Sequence, residues 1–375
     1  MKIEIIKAYA GSPKYDILYS TFWKIFSQKG IHVVNSGECP DCRLVLGNRI
    51  ESALQELSRD GIPCIRTVFR SDIAMNFAID ESVVDFTFIV KDLDINILCP
   101  YRQTTAEIPV PFIFDDIEEQ TDTEYAYDIY VNTGEFLYSD SALFKILRTL
   151  NRFTRYKIDV CTQNENLKAI VNGNITLSDS SSDIEEHVRR SRIVIGSGYA
   201  VLYALKYHKP FVVVGERGYG GIPKDVNILS FYHGFFQGCI GGRLDGPLPE
   251  NLVSEDVNNL MSSQFDFSLL RKKVSGCASD VSDRIVDCIE KIVADSRDIS
   301  LPLQFNTDYT VIEGNGKYWL LNRFTRFIIS RLEKNEVEII NEFLHPQCCL
   351  YDELSDEKKK VVKRFVMEKI LIKRR

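Results

Sequence analysis

The chain has 375 residues, 45% hydrophobic and 26% charged, which is the balance of a soluble globular protein too long for one compact core. Its net charge of −7 argues against nucleic acid as a partner of the whole chain. No apolar run approaches the ~20 residues of a membrane-spanning helix, and Met1-Lys2-Ile3-Glu4 opens a strand rather than a signal peptide, so a cytoplasmic location is expected. Ten irregularly spaced cysteines suit reduced thiols better than a disulfide framework. Cys39-Pro40-Asp41-Cys42 has no second such pair or paired histidines beside it, and reads as a turn rather than a metal site.

Taken in order, Lys2 to Ala8 reads as a strand, Asp16 to Lys29 as a helix, and Ile31 to Val34 and Arg43 to Leu46 as strands. A helix is expected over Glu51 to Arg59, then strands over Cys64 to Phe69, Asp85 to Val90 and Ile108 to Phe114. Strands alternating with helices indicate an α/β domain with a largely parallel sheet, over residues 1–120. The acidic stretch Asp115 to Tyr127 marks a boundary. A second α/β series spans residues 121–300: a strand at Asp128 to Val131, a helix at Ser139 to Asn151, a strand at Tyr156 to Val160, and a helix at Ile184 to Arg190 that Asp183 is placed to cap.

The densest signal follows. Arg192 to Ile195 is a β-branched run, Gly196-Ser197-Gly198 a turn, Tyr199 to His208 carries helical apolar spacing, and Phe211 to Val214 is a strand ending in Gly215 and Glu216. This is a βαβ unit, whose ligands lie at the carboxyl ends of the strands. The turn has the first two glycines of a dinucleotide fingerprint, with Glu216 where a ribose-binding acid belongs, but Val201 holds the third glycine position. Glycines that serve packing alone are the other reading. Ile222 to Gly246 is rich in glycine and aromatics, with His233, Gln237 and Arg243 as its polar groups, and Glu250 to Cys288 reads as helices.

The segment also resembles the nucleotide-sugar half of GT-B glycosyltransferases. The resemblance rests on the Gly/Ser turn, the short helix and His208-Lys209-Pro210 leading into Phe211-Val212-Val213-Val214-Gly215. It departs from the family where Tyr203 precedes Ala204-Leu205, a place often held by glutamate, and where His208 replaces a glycine. The resemblance implies two Rossmann-like lobes and a nucleotide-sugar donor bound by Gly196, Ser197, Gly198, Tyr199, Glu216, Arg217, Tyr219 and Arg243. It implies no separate cofactor and no metal. Transfer needs a base for the acceptor and dipoles or cations for the departing diphosphate; the amides after Ser197 and Gly218 suit the second need, and Asp16, His32 and Asp72 of the first lobe are the candidate bases.

Residues 301–375 differ in character. From Tyr309 onward fourteen Lys/Arg stand against ten Asp/Glu, so +4, which leaves −11 for the first 308 residues. A hairpin is expected around Glu313-Gly314-Asn315-Gly316, then helices over Asn322 to Leu332, Glu336 to Leu344 and Ser355 to Lys369, the last capped by Ser355. Through Tyr318-Trp319-Leu320-Leu321-Asn322 and the elements after it, this tail resembles the small winged-helix domains of the PqqD type, which implies a precursor peptide or protein as acceptor, added as a strand to a sheet edge. The helix Asn322 to Leu332 would offer Phe324, Phe327 and Ile328 beside that edge. A DNA-binding winged helix and a module for homodimer formation are the competing uses. A scaffold that has lost catalysis, and a nicotinamide-dependent oxidoreductase, are the alternative functions of the whole chain.

Overall fold

The computed structural model describes residues 1–9, 12–35, 38–47, 62–75, 84–92, 105–115, 125–133, 139–162, 164–179, 183–215, 218–238, 250–262, 265–297, 303–305, 309–314, 316–323, 328–344, 355, 358–359, 361–362, 365 and 371–373. The expected helix at Glu51 to Arg59, the core of the acidic boundary, and Glu216, Arg217, Arg243, Phe324 and Phe327 lie outside these.

The first sheet holds β1 (Lys2–Lys7), β2 (His32–Val34), β3 (Cys42–Leu46), β4 (Cys64–Phe69), β5 (Phe86–Lys91) and β6 (Thr105–Pro109), in the order β2-β1-β3-β4-β5-β6, all parallel. β3 and β4 are buried along their whole length, as strands covered on both faces must be. Helix α1 (Pro13–Gln28) starts with proline, whose missing N–H costs nothing in the first turn, and turns Leu18, Phe22, Ile25 and Phe26 inward. α2 (Arg70–Met75) follows β4 directly.

The second sheet holds β7 (Tyr127–Asn132), β8 (Ile158–Cys161), β9 (Ile175–Ser178), β10 (Ser191–Gly196), β11 (Phe211–Gly215) and β12 (Gly218–Gly221). Its order is β12-β11-β10-β7-β8-β9, parallel except for the antiparallel edge strand β12. Helix α3 (Ser139–Leu150) follows β7, and α4 (Ile184–Arg189) is capped as expected by Asp183, whose carboxylate accepts from the Glu185 and Glu186 amides. α5 (Gly198–Lys206) joins β10 to β11. α6 (Ile228–His233), α7 (Glu250–Ser262) and the 30-residue α8 (Ser268–Arg297) complete this part. In both sheets the strand order reverses once: between β1 and β3, and between β7 and β10. These are the topological switch points, where open α/β sheets take their ligands.

One continuous apolar core runs through both sheets. The segment after β6 joins them: Phe112 meets Tyr203 of α5 edge-on at 5.2 Å, and the Tyr232 hydroxyl of α6 donates to the Val110 carbonyl at 2.9 Å. Asp115 ties the joint, accepting from Lys24 of α1 at 2.9 Å through its carboxylate and from Arg271 of α8 at 3.2 Å through its carbonyl.

The C-terminal part has its own core around Phe305, Leu320, Ile340, Phe343 and Phe365. The hairpin forms as expected from β14 (Tyr309–Gly314) and β15 (Lys317–Asn322), with Gly316 at a φ of 69° in the tight turn. The expected helix from Asn322 to Leu332 does not form. β15 runs on to Asn322, and Ile328–Leu332 is strand β16, antiparallel to β15 with Tyr318 opposite Leu332. Ile328, expected on a helix beside the sheet edge, lies 56% exposed in that strand. Its β-branched Ile328-Ile329 start suits a pleated sheet, and cross-strand pairing outweighs the helical spacing of the apolar residues. β13 (Leu303–Phe305) pairs with β17 (Leu371–Lys373), closing the two ends of the domain on each other. α9 (Lys334–Glu342) opens with a capping box from Glu333 and Glu336. The Ser355 hydroxyl accepts from the Lys358 amide at 3.4 Å, the cap that its position suggested.

Candidate functional site

The switch point of the second sheet is a tight turn. Ser197 is N-cap of α5, and its amide donates to the Asn132 carbonyl of β7 at 3.0 Å. A Cβ on Gly196 would come within 2.2 Å of that same carbonyl, so glycine is what lets β10 lie against the end of β7. Gly198 stands at a φ of 58°, and its amide donates to the Phe235 carbonyl at 3.1 Å. Neither the Ser197 nor the Gly198 amide is therefore open to a ligand, contrary to the expectation for Gly198. The next two, of Tyr199 and Ala200, find no acceptor among the described residues.

Around this turn sit polar side chains that fold without partners. Ser197 is 1% exposed and its hydroxyl caps nothing; both ends of the Gln237 carboxamide, 3% exposed, and the Tyr199 hydroxyl are likewise unpaired among the described residues. Ser197 and the Gln237 backbone both flank the end of β11, where a Cβ on Gly215 would lie 2.8 Å from the Gln237 carbonyl and 2.9 Å from the Ser197 Cβ. Burial foremost, then the neighbouring groups of Tyr203, Asp92 and Tyr232, pushes the Tyr199 phenol well above its ordinary range, so it stays protonated. Asp92 follows β5 of the first sheet, so the phenol feels a charge from the carboxyl edge of that sheet as well.

The carboxyl edge of the first sheet is ionic. Asp72, at the start of α2, accepts from the Tyr15 hydroxyl at 2.6 Å and the Lys14 ammonium at 2.8 Å. Lys14 also donates to the Ser71 hydroxyl at 3.0 Å and lies over the Phe69 ring at 4.6 Å. Asp92, immediately after β5 and 1% exposed, accepts from the Ser71 amide at 2.9 Å and from the Ser71 hydroxyl. Burial raises its pKa above the aspartate range, against the opposing pull of Lys14, 3.6 Å away, and of Ser71.

The predicted residues are thus sorted by position. Asp72 lies in this cluster. Asp16 is close by on α1, more open, and accepts from the Tyr9 hydroxyl at 2.7 Å. His32 is exposed at the amino end of edge strand β2, opposite Lys2, a strand's length of roughly 15–20 Å from the carboxyl edge. The structure does not bring it to the others. Gly196, Ser197, Gly198 and Tyr199 converge on the second switch point, whereas the Tyr219 hydroxyl is committed to Asp256 and the Leu252 carbonyl. Tyr203, where glutamate was the family expectation, packs on Phe112. His208 adopts a φ of 53°, so the left-handed bend that favours glycine is kept without the glycine. Lys209 caps α4 through the Arg189 carbonyl at 3.0 Å; burial, then the Arg189 charge, draws it down to about 8.

Lys14, Ser71, Asp92 and Phe235 escaped the sequence reading, and Gln237 was seen only as a polar loop residue. For Ser71 and Asp92 a signal existed: each stands just past a predicted parallel strand, which is where a carboxyl-edge residue must be.

No family model matches the chain, and no curated protein matches it significantly. Among solved structures, the spinosyn rhamnosyltransferase SpnG aligns over 77% of this chain and 100% of its own, at 9% identity and a TM-score of 0.42. The glycosyltransferase VinC in complex with DTDP aligns over 79% and 100%, at 10% identity and 0.42. The pneumococcal O-GlcNAc transferase GtfA in complex with UDP and GlcNAc aligns over 68% and 57%, at 12% identity and 0.42. Likeness at this level says nothing of activity, and the fold stands on the strand orders given above.

Proposed function

We propose that the chain is a sugar-transfer enzyme that takes a nucleotide-sugar at the switch point of the second sheet and its acceptor at the carboxyl edge of the first. One observation carries this reading: the Ser197 hydroxyl, the Tyr199 hydroxyl and the Gln237 carboxamide are buried without partners among the described residues, at a place where doubly wound sheets bind ligands. Each unpaired group costs about 1–3 kcal/mol, a cost that a ligand supplying the missing partners removes. The sequence resemblance to nucleotide-sugar transferases supports the ligand class. Glu216, Arg217 and Arg243 remain part of the proposed donor set. Asp72 is the proposed base for the acceptor, with Asp16 beside it.

The acceptor is proposed to be a peptide engaged by the C-terminal sheet. β14 and β16 each have one side that pairs with no strand among the described residues, and the +4 charge from Tyr309 onward suits an acidic partner. A non-catalytic binding partner on the same scaffold is the second reading. It is favoured by Tyr203 packing against Phe112 and by the Gly198 amide being already bonded.

The test is a thermal-shift panel of UDP, GDP, CMP, TDP, NAD and the corresponding sugars on the full chain. A ligand at a hundred times its Kd adds about 2.7 kcal/mol. The stabilisation should be lost in Ser197→Ala and Gln237→Leu. A shift with NAD alone would replace transfer by hydride chemistry, and no shift with any of them would remove the donor site. Turnover of a bound nucleotide-sugar separates the enzyme from the silent scaffold.

A further inference from the structure

The segment after α6 closes over the same turn. From Gly234 it passes through Phe235 and Phe236 at φ values of 53° and 55°, two consecutive phenylalanines in the left-handed region that a Cβ disfavours. Phe236 is fully buried against Phe211 and Phe231 and anchors the segment. Phe235 does the covering. Its carbonyl takes the Gly198 amide, the first donor of α5, at 3.1 Å. Its ring lies so close above Gly198 that an added Cβ would come within 2.9 Å of Cε1, and it meets the Tyr199 ring edge-on at 5.1 Å. The segment thereby supplies an acceptor and an apolar cover where an anionic ligand would sit. The neighbouring Ser197 hydroxyl and the carboxamide of Gln237, two residues past Phe235, have no partner among the described residues.

Such an arrangement satisfies one donor at the cost of two strained residues and several orphaned polar atoms. A ligand oxygen that takes over the Gly198 amide would allow both phenylalanines to leave the left-handed region and would give Ser197 and Gln237 partners. We propose that residues 234–237 are a gate displaced by the ligand of the second switch point, with Phe235 as the residue that closes it. The inference rests on the nucleotide reading of that site. A protein whose competent state is only partly populated binds with its affinity reduced by that fraction, so loosening the closed state tightens binding without any new contact to the ligand.

The experiment titrates the full chain and Phe235→Ala with the nucleotide panel, and follows amide hydrogen exchange of the 196–202 segment without ligand. Phe235→Ala should bind the same nucleotide roughly tenfold more tightly, and its 196–202 segment should exchange roughly tenfold faster while α8 keeps wild-type protection. Phe235→Leu, which keeps apolar bulk should the alanine variant not fold, should shift both readouts in the same direction by less. Binding by the variants alone would also support the gate. Equal or weaker binding by variants that remain folded overturns it, since Phe235 is then only a wall, and leaves the nucleotide site standing. Absence of nucleotide binding by every protein overturns the site reading and the gate with it.

Discussion

The carboxyl edges of the two sheets are built on the same doubly wound plan and filled in opposite ways. At the first edge the ammonium of Lys14, the carboxylates of Asp72 and Asp92 and the hydroxyls of Tyr15 and Ser71 satisfy one another. At the second edge the buried groups are neutral, and several have no partner among the described residues. The difference follows from cost. A buried charge without a counter-charge costs several kcal/mol, so a charged site has to be complete before any ligand arrives. A lone hydroxyl or amide costs about 1–3 kcal/mol, which a fold of ordinary stability tolerates where a ligand will later bind. The proposed function assigns proton transfer to the first edge and ligand binding to the second.

The largest effect is expected at the second edge. Gly196→Ala puts a Cβ into the Asn132 carbonyl and should cost about 3 kcal/mol or more in chemical denaturation, because β10 must move away from β7. A loss below about 1 kcal/mol would mean that the turn is looser than the strand register implies. Gly198→Val meets the Phe235 ring as well as a positive φ, so it too should lose stability.

The next effect belongs to the first edge. Asp72→Asn should lower turnover of a nucleotide-sugar by about 100-fold if this carboxylate takes the acceptor proton, while nucleotide-induced stabilisation stays unchanged. Loss of nucleotide binding instead would show that the two edges do not divide the work.

A smaller effect is expected from pH. The folded-state pKa of Asp92 is raised, so its contribution to stability is fully present below the ordinary aspartate value and is lost as pH rises through the raised one. Asp92→Asn abolishes that titration. Wild type should therefore lose stability relative to the variant as pH climbs through this window, measured by urea midpoints. A constant difference would show that the Lys14 and Ser71 contacts cancel the burial.

The smallest effect is expected at Tyr199. Tyr199→Phe deletes a buried hydroxyl that has no partner among the described residues and should raise stability by up to about 1 kcal/mol, while nucleotide stabilisation falls. A variant that is less stable than wild type would mean that the hydroxyl already has a partner in solution.

The sequence by itself determined the elements whose causes are local. The β-branched runs at Arg192 to Ile195 and Phe211 to Val214, with the glycine turn between β10 and α5, define a βαβ unit that the structure reproduces. The same holds for the Asp183 and Ser355 caps and the hairpin that turns at Gly316, where neighbouring backbone imposes the residue type. Only the tertiary structure decided that Ile328–Leu332 is a strand, because the pairing partner that overrules its helical spacing is β15. The tertiary structure also decided which groups at the site are free. Whether the Gly198 amide is open depends on Phe235, and whether Asp72 is ionically paired depends on Lys14, 58 residues away along the chain. A residue's type fixes which hydrogen bonds and charges it can offer, but their occupancy is set by whatever other strand ends and loops bring within 3 Å or so, and short-range patterns carry no record of that.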